Sequence, residues 1–197
     1  MDIIIELEDA LTKDECNIVI ESHRDKLHRA EVVKNNKKGN TEVHRARTNS
    51  EAFYDKDDKN KELTEVMSKI KDYISAITRL PLENQEDPII LNYQKEQKYD
   101  PHYDWFEEEG GYWDGEKNTG GQRLYSVLFY LNDVKEGGET FYPKLDRKIK
   151  PKTGKMICHK NTHDGVCLRN SLHGAMPVIA GEKWALVCWI RENKWIA

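Results

Sequence analysis

The sequence predicts an α+β protein that is mainly β, with antiparallel strands packed against helices from its amino-terminal half. Three observations predict it. Apolar residues between 63 and 80 recur at spacings of three and four, the period of a helix with one buried face. After Pro88 the texture changes to short apolar and aromatic runs at 89–93, 125–131, 155–159 and 183–190, separated by turn residues. Those intervals leave no room for a helix between successive strands, which argues against a parallel βαβ sheet. Third, a length of 197 residues falls in the range of roughly 100–200 expected of one domain. Such a chain buries about 70% of its unfolded surface, enough for a core without disulfide or metal staples. The expected organisation is one domain over 1–197, with a helical front at 1–88 and a strand-rich core at 89–197.

The elements follow in order. Ile3, Ile5 and Leu7 alternate with other positions as a short strand would. Thr12 and Glu15 then form a Thr-x-x-Glu capping box that opens a helix reaching to about Leu27. Residues 34–42 are polar and contain Gly39, so they read as a loop, and 54–61 is a second charged connection. Neither is long enough to link two domains. Leu63, Val66, Met67, Ile70, Tyr73, Ile74, Ile77 and Leu80 make one apolar stripe, ended by Pro81, and its role is core packing. Residues 107–121 hold five of the twelve glycines and read as a mobile surface loop. No internal repeat is visible.

Composition excludes several function classes. The 31 basic and 35 acidic residues leave a formal charge of −4, so no general attraction to nucleic acid or anionic lipid is expected. The local basic segment at 144–155 reads as a solvated hairpin edge guarded by lysines, with attraction of an acidic partner as the second reading. No run approaches 18 apolar residues, so no membrane span is predicted. The start, MDIIIELEDAL, lacks a basic n-region and a longer apolar stretch. A cytoplasmic location is expected, unless a leader has been removed. Cys16, Cys158, Cys167 and Cys188 are too widely spaced for a zinc knuckle and too few for a disulfide scaffold, which favours reduced thiols. In an oxidising compartment Cys158 and Cys167 would be the pair able to close a short loop.

The chemistry sits in the strand-rich half. In YDPHYDWF, His102 and Asp104 are two residues apart, and on an extended strand such positions share a face. An imidazole and a carboxylate could therefore converge on one metal ion. His173, in NSLHGAMPV on a later β segment, would complete a two-histidine, one-carboxylate face that leaves three positions open on an octahedral iron. Three protein donors with open positions also describe a catalytic zinc site, so the set alone does not name the metal. Lys183 lies ten residues past His173, after a turn from Pro177 to Gly181. A returning strand there would bring a buried cation beside the metal, suited to a chelating anionic co-substrate with a distal carboxylate.

The order HYD, then QRLYSVLFYLNDVKEGGETFYP, then SLHGAMPVIAGEKWALVCWIRE closely resembles the catalytic domain of prolyl 4-hydroxylases, iron(II)- and 2-oxoglutarate-dependent dioxygenases. The resemblance covers nearly the whole chain. ARTNSEAF at 46–53 looks like that family's Arg-Thr-x-Ser segment, and the run from LPLENQ to DPHYDWF follows its pattern. As implied by the resemblance, His102, Asp104 and His173 bind iron(II), and Lys183 pairs with the distal carboxylate of 2-oxoglutarate. Tyr93 and Thr140 match further contacts to that co-substrate. Tyr99 matches a tyrosine near the metal and the substrate ring, while Arg123 and Trp189 correspond to the peptide-binding side. The implied fold is a double-stranded β-helix, jelly-roll-like, with front helices buttressing the larger sheet.

The implied reaction hydroxylates C4 of a prolyl ring, consumes O2 and 2-oxoglutarate, releases succinate and CO2, and uses ascorbate as an auxiliary reductant. The partner would be a proline-containing peptide or protein, with aromatic walls from Tyr99, Trp105, Tyr112, Trp113, Tyr142 and Trp189 and the 107–121 loop closing over it. Both monomer and homodimer stay open. The chain departs from the family at KMICHK, with Cys158 and His159 where bulkier apolar residues are usual, and at THDGVCLRN, with His163 and Cys167. His159 and His163 are rival ligands, but only His173 has the matching downstream GEKW. The competing readings are a noncatalytic β-sandwich binding module and a related oxygenase acting on another substrate.

Overall fold

A computed structural model describes residues 3–33, 41–107 and 111–196. In chain order the front holds β1 (Ile4–Leu7), α1 (Lys13–His23), β2 (His28–Arg29), β3 (Val32–Val33), β4 (Thr41–Glu42), β5 (Ser50–Phe53) and α2 (Lys61–Thr78). Then come β6 (Ile89–Tyr93), β7 (Tyr99–His102), α3 (Gly111–Glu116), β8 (Arg123–Tyr130), β9 (Glu136–Gly137), β10 (Thr140–Tyr142) and β11 (Arg147–Ile149). The chain closes with β12 (Met156–Lys160), β13 (Thr162–His163), β14 (Val166–Cys167), β15 (His173–Ala175), β16 (Val178–Ala180) and β17 (Lys183–Arg191).

Local chemistry explains the helix ends. The Thr12 backbone N–H donates to Glu15 Oε2 at 2.7 Å while the Glu15 N–H donates to Thr12 Oγ1 at 3.2 Å, the reciprocal box read from the sequence. The α-helix stops at His23 and only a 3-10 turn continues to Lys26, a little short of the expected Leu27. In α2 the Asn60 side chain caps the Leu63 N–H. The chain leaves that helix through Arg79 in the left-handed region (φ 59°), its N–H still bonded to the Ser75 carbonyl, and Leu80 then directly precedes Pro81, where helical dihedrals are disfavoured.

Seven strands form an antiparallel sheet in the order β1-β12-β8-β17-β6-β5-β2, and four more form a second sheet in the order β11-β10-β15-β7. The two make a jelly-roll, the double-stranded β-helix that the resemblance implied. Side-chain alternation decides which residues face which layer. Ile90, Val127, Phe129, Met156, Cys158, Trp184, Leu186 and Cys188 pack outward against Val19, Ile20, Leu63, Met67, Ile70 and Ile74 of the two long helices. The intervening positions turn inward toward the second sheet, where Tyr130 and Ile157 meet Tyr142 and Ile149.

Two expectations need correction. The front is not only helical: the strand expected there is β1, paired with β12 at one edge of the large sheet, while β5 and β2, which were not expected, extend the other. No apolar alternation marks β5 since Glu51 is buried there, with Asn49 just before it. The expected Pro177–Gly181 turn contains β16, which pairs with β9. Residues 34–40 of the expected 34–42 loop lie outside the described residues.

The basic segment reads as a hairpin edge. β11 is the edge of its sheet, and Arg147, Lys152 and Lys155 pair with Glu6 and Glu8 of and beside β1. All four cysteines are free thiols, so Cys158 and Cys167 are not joined. Among the described residues no helix is long and apolar enough to cross a membrane. Gly154 turns the chain from β11 into β12 at φ +78°, where an added Cβ would run into the Leu11 carbonyl oxygen. Gly154→Ala should cost about 2 kcal/mol for the left-handed backbone alone, lowering Tm by about 4–8 °C. Thermal unfolding with an unchanged Tm would refute that account of the turn.

Candidate active site

Between the sheets lies a cavity of about 660 Å³, a size suited to a small ligand plus part of a larger one. The inward positions of the large sheet supply its wall. Tyr93 comes from β6, Ser126 from β8, His159 from β12, and Lys183 and Trp189 from β17. Arg123 joins them only through a register shift, since Ile190 pairs with Tyr125 but Arg191 pairs with Arg123, leaving Leu124 bulged. The extra residue reverses the parity of β8 and turns Arg123 to the same face as Ser126.

His102 and His173 are direct cross-strand partners of β7 and β15. Asp104 lies just beyond the end of β7 instead of on it, so the expected one-strand geometry holds for His102 alone. A bend nevertheless returns the carboxylate. One ligand atom from each of His102, Asp104 and His173 lies within 4.8 Å of the others. His102 Nε2 is 3.5 Å from Asp104 Oδ1, and His173 Nε2 is 3.5 Å from Asp104 Oδ2.

The tautomers follow from the backbone. His102 Nδ1 lies 2.9 Å from the Asp100 carbonyl oxygen and His173 Nδ1 lies 2.9 Å from that of Ser171. A carbonyl only accepts, so each Nδ1 carries the proton and each Nε2 turns a lone pair toward the carboxylate. Three acceptors facing one another in a buried space call for a cation between them. This nitrogen and oxygen set, with no thiolate, fits a divalent ion such as iron(II). Burial pushes the His173 pKa down to about 4, with His102 and Lys183 acting the same way, so the imidazole is neutral and ready to ligate.

Lys183 begins β17 opposite Tyr93. It is almost completely buried, donates to the Gly138 carbonyl oxygen at 2.8 Å, and lies 5.1 Å from the Tyr93 ring and 5.4 Å from the Tyr130 ring. Burial lowers its pKa to about 7, with Glu139 opposing. Thr140 also lines the cavity and receives the Tyr130 hydroxyl at 2.7 Å.

Residues 88–191 match the 2OG-Fe(II) oxygenase superfamily. The chain is 34% identical over 199 residues to the probable prolyl 4-hydroxylase 6 of Arabidopsis thaliana, covering 91% of this chain and 66% of that protein. It is also 34% identical to probable prolyl 4-hydroxylase 10 of the same plant, covering 94% and 67%. The chain thus spans about two thirds of the length of these curated relatives. A viral collagen prolyl hydroxylase from Paramecium bursaria Chlorella virus-1, solved as a 2OG complex, superposes with a TM-score of 0.74 at 25% identity, covering 96% of each chain.

The chain belongs to the 2OG-Fe(II) oxygenase superfamily.

In this oxygenase Tyr99 stacks on the His102 ring, with centroids 3.7 Å apart and planes at 15°. Arg123 is no loose surface charge. Its guanidinium sits 3.8 Å over the Trp189 ring and pairs with both carboxylate oxygens of Glu86, at 2.7 and 2.8 Å. Glu86 also meets the fully buried Arg191, which grips Glu116 at 2.6 Å. That contact ties the end of α3 to the barrel, so the 107–121 segment is not simply a loop. Residues 108–110 lie outside the described residues, as does the Tyr112 side chain.

Sequence reasoning assigned no role to Arg47, Glu51 and Glu86; Glu86 meets Arg123 and Arg191 from far along the chain. Arg47 bonds Glu51 and lies 5.1 Å over Tyr99. The two rival histidines part company. His163 is exposed beside Asp164 on the β13–β14 hairpin. His159 is buried in the cavity wall with its ring centroid 4.5 Å from that of His173, and burial followed by His173 drives its pKa down to about 3.

Proposed function

We propose that this chain is an iron(II)- and 2-oxoglutarate-dependent dioxygenase that hydroxylates C4 of prolyl residues in proline-rich peptides or proteins. The observation that carries the reading is that one cavity holds both the His102–Asp104–His173 acceptor cluster and a buried ammonium, Lys183. A small dianion able to chelate a metal at one end and meet a cation at the other fits that pair. The relatives' names supply the prolyl class.

His102, Asp104 and His173 would hold the iron. When bound, it supplies the coupling of oxidative decarboxylation of 2-oxoglutarate to C–H oxidation, one atom of O2 entering the C–H bond and the other entering succinate, with release of CO2. The chain's own residues bind and orient. The Lys183 ammonium pairs with the distal carboxylate of the co-substrate, supported by the Tyr93 hydroxyl and Thr140. Tyr99 keeps the His102 ring in place and walls the space beside it. Trp189, stiffened by Arg123 and Glu86, offers an aromatic face to an uncharged prolyl ring, whose recognition depends on such surfaces.

Ascorbate acts as the auxiliary reductant in this reading. The free thiols support a cytoplasmic setting. Residues 1–197 work as one domain, because strands from the front close both edges of the large sheet. The test uses purified protein with iron(II), ascorbate and 2-oxoglutarate. Poly-proline or Pro-Ala-rich peptides should raise succinate above a no-peptide control and gain one oxygen atom on proline by mass spectrometry. No gain across a broad peptide panel would sink the prolyl assignment.

A further inference from the structure

His159 is a fully buried imidazole in the cavity wall that the ligand cluster does not use. The argument starts at Asp104. There the Ser126 hydroxyl donates to Asp104 Oδ2 at 2.6 Å. Ser126 Oγ in turn accepts from Asn161 Nδ2 at 2.8 Å. With its nitrogen committed to Ser126, Asn161 has its oxygen left over, and that Oδ1 is fully buried with no partner of good hydrogen-bond geometry among the described residues. His159 Nε2 is the matching orphan.

His159 lies near the end of β12 and Asn161 just beyond it, and both meet Ser126, His159 as its cross-strand partner and Asn161 through that 2.8 Å bond. An amide oxygen can only accept, so pairing these two orphans puts the His159 proton on Nε2. Nδ1 is then the acceptor for the Tyr142 hydroxyl, 2.9 Å away. This is the opposite tautomer to that of His102 and His173, and a protonated Nε2 cannot ligate a metal. His159 Nε2 nevertheless approaches Asp104 Oδ2 to 4.0 Å.

We propose that His159 is a positioning residue of the metal centre: the chain Tyr142–His159–Asn161–Ser126–Asp104 points every proton toward Asp104 Oδ2 and fixes how the carboxylate meets the ion. The inference rests on the oxygenase reading of the site. Partners behind a metal ligand orient it and set its donor strength, and losing one typically costs about 10- to 100-fold in metal affinity. An apolar residue at 159 would leave Asn161 Oδ1 without a donor and free the amide to turn, loosening Ser126.

The test reads metal binding, not turnover. Apo protein is titrated with Co(II) and its visible absorption spectrum recorded for wild type, His159→Phe and His159→Gln, with Tm measured on each. His159→Phe should bind Co(II) about tenfold or more weakly with an altered spectrum. His159→Gln, whose amide nitrogen can stand in for Nε2–H, should recover most of the affinity and the wild-type spectrum. Unchanged affinity and spectrum in His159→Phe overturn the inference, as do two variants equally weakened in step with a fallen Tm. A wild-type protein that binds no Co(II) overturns the oxygenase reading itself, and this inference with it.

Discussion

Replacing His173 with alanine should abolish turnover, with succinate formation falling to background both with and without peptide, while the fold persists. In the proposed centre the imidazole is one of three protein donors, and among the described residues no neighbour can replace it. His159 is the nearest other ring, at 4.5 Å between centroids, but its outward nitrogen bears a proton. Since loss of a group behind a ligand costs about 10- to 100-fold in metal affinity, loss of a ligand itself should exceed that. The structural cost should be small. His173 is a partly exposed residue at the cavity wall, and its side chain belongs to none of the apolar clusters that hold the helices to the sheet. Removing an acceptor from the cluster also relieves repulsion in the metal-free protein. Co(II) titration, succinate assay and thermal unfolding on the same preparation separate these effects. Full activity in His173→Ala would refute its place in the centre.

What could be read from the sequence follows physical range. Capping boxes, helical stripes and strand alternation are encoded within a few residues, so α1, α2, β6 and β17 were legible with nearly their observed bounds. The clustering of His102, Asp104 and His173 was legible because the first two are close in sequence and His173 sits in a distinctive segment. Contacts that depend on pairing register were not. That His173 faces His102 across two strands, or that a bulge at Leu124 swings Arg123 into the cavity, depends on how separate strands align. β5 was missed because its inward position is the charged Glu51, held by Arg47 and not by apolar burial. The relay behind Asp104 was hidden for the same reason: Ser126 and Asn161 look like ordinary strand and turn residues until β8 and β12 are paired, with Ser126 opposite His159.

Lys183 should make co-substrate binding depend on pH, and Lys183→Met should remove that dependence. The wild-type ammonium is buried with a carbonyl oxygen and two aromatic rings for company, and no carboxylate lies within ion-pair distance among the described residues. Burial therefore lowers its pKa to about 7. A dianionic co-substrate binds the protonated form. As pH rises through about 7 the free protein loses that proton, so the apparent Kd for 2-oxoglutarate should climb by about tenfold per pH unit above the pKa. Lys183→Met loses a charge-assisted hydrogen bond of about 1.5–3 kcal/mol, raising KM for 2-oxoglutarate roughly 10- to 100-fold near neutral pH with a flat profile through this range. Stability should move the other way. Between the folded pKa and the unfolded value of 10.5, the unfolded chain holds a proton that the folded one lacks. The contribution of Lys183 to stability thus rises with pH in that window. Below it the fold must bury a full charge, which methionine does not. Metal-free Lys183→Met should accordingly melt higher than wild type at pH 6, with the gap narrowing toward pH 9. The titrations of buried tyrosines and cysteines are common to both proteins and cancel in the difference. A lysine that weakens the empty protein and strengthens the co-substrate complex is one selected for binding. Equal melting temperatures at pH 6, or a wild-type Kd that ignores pH, would remove Lys183 from that role.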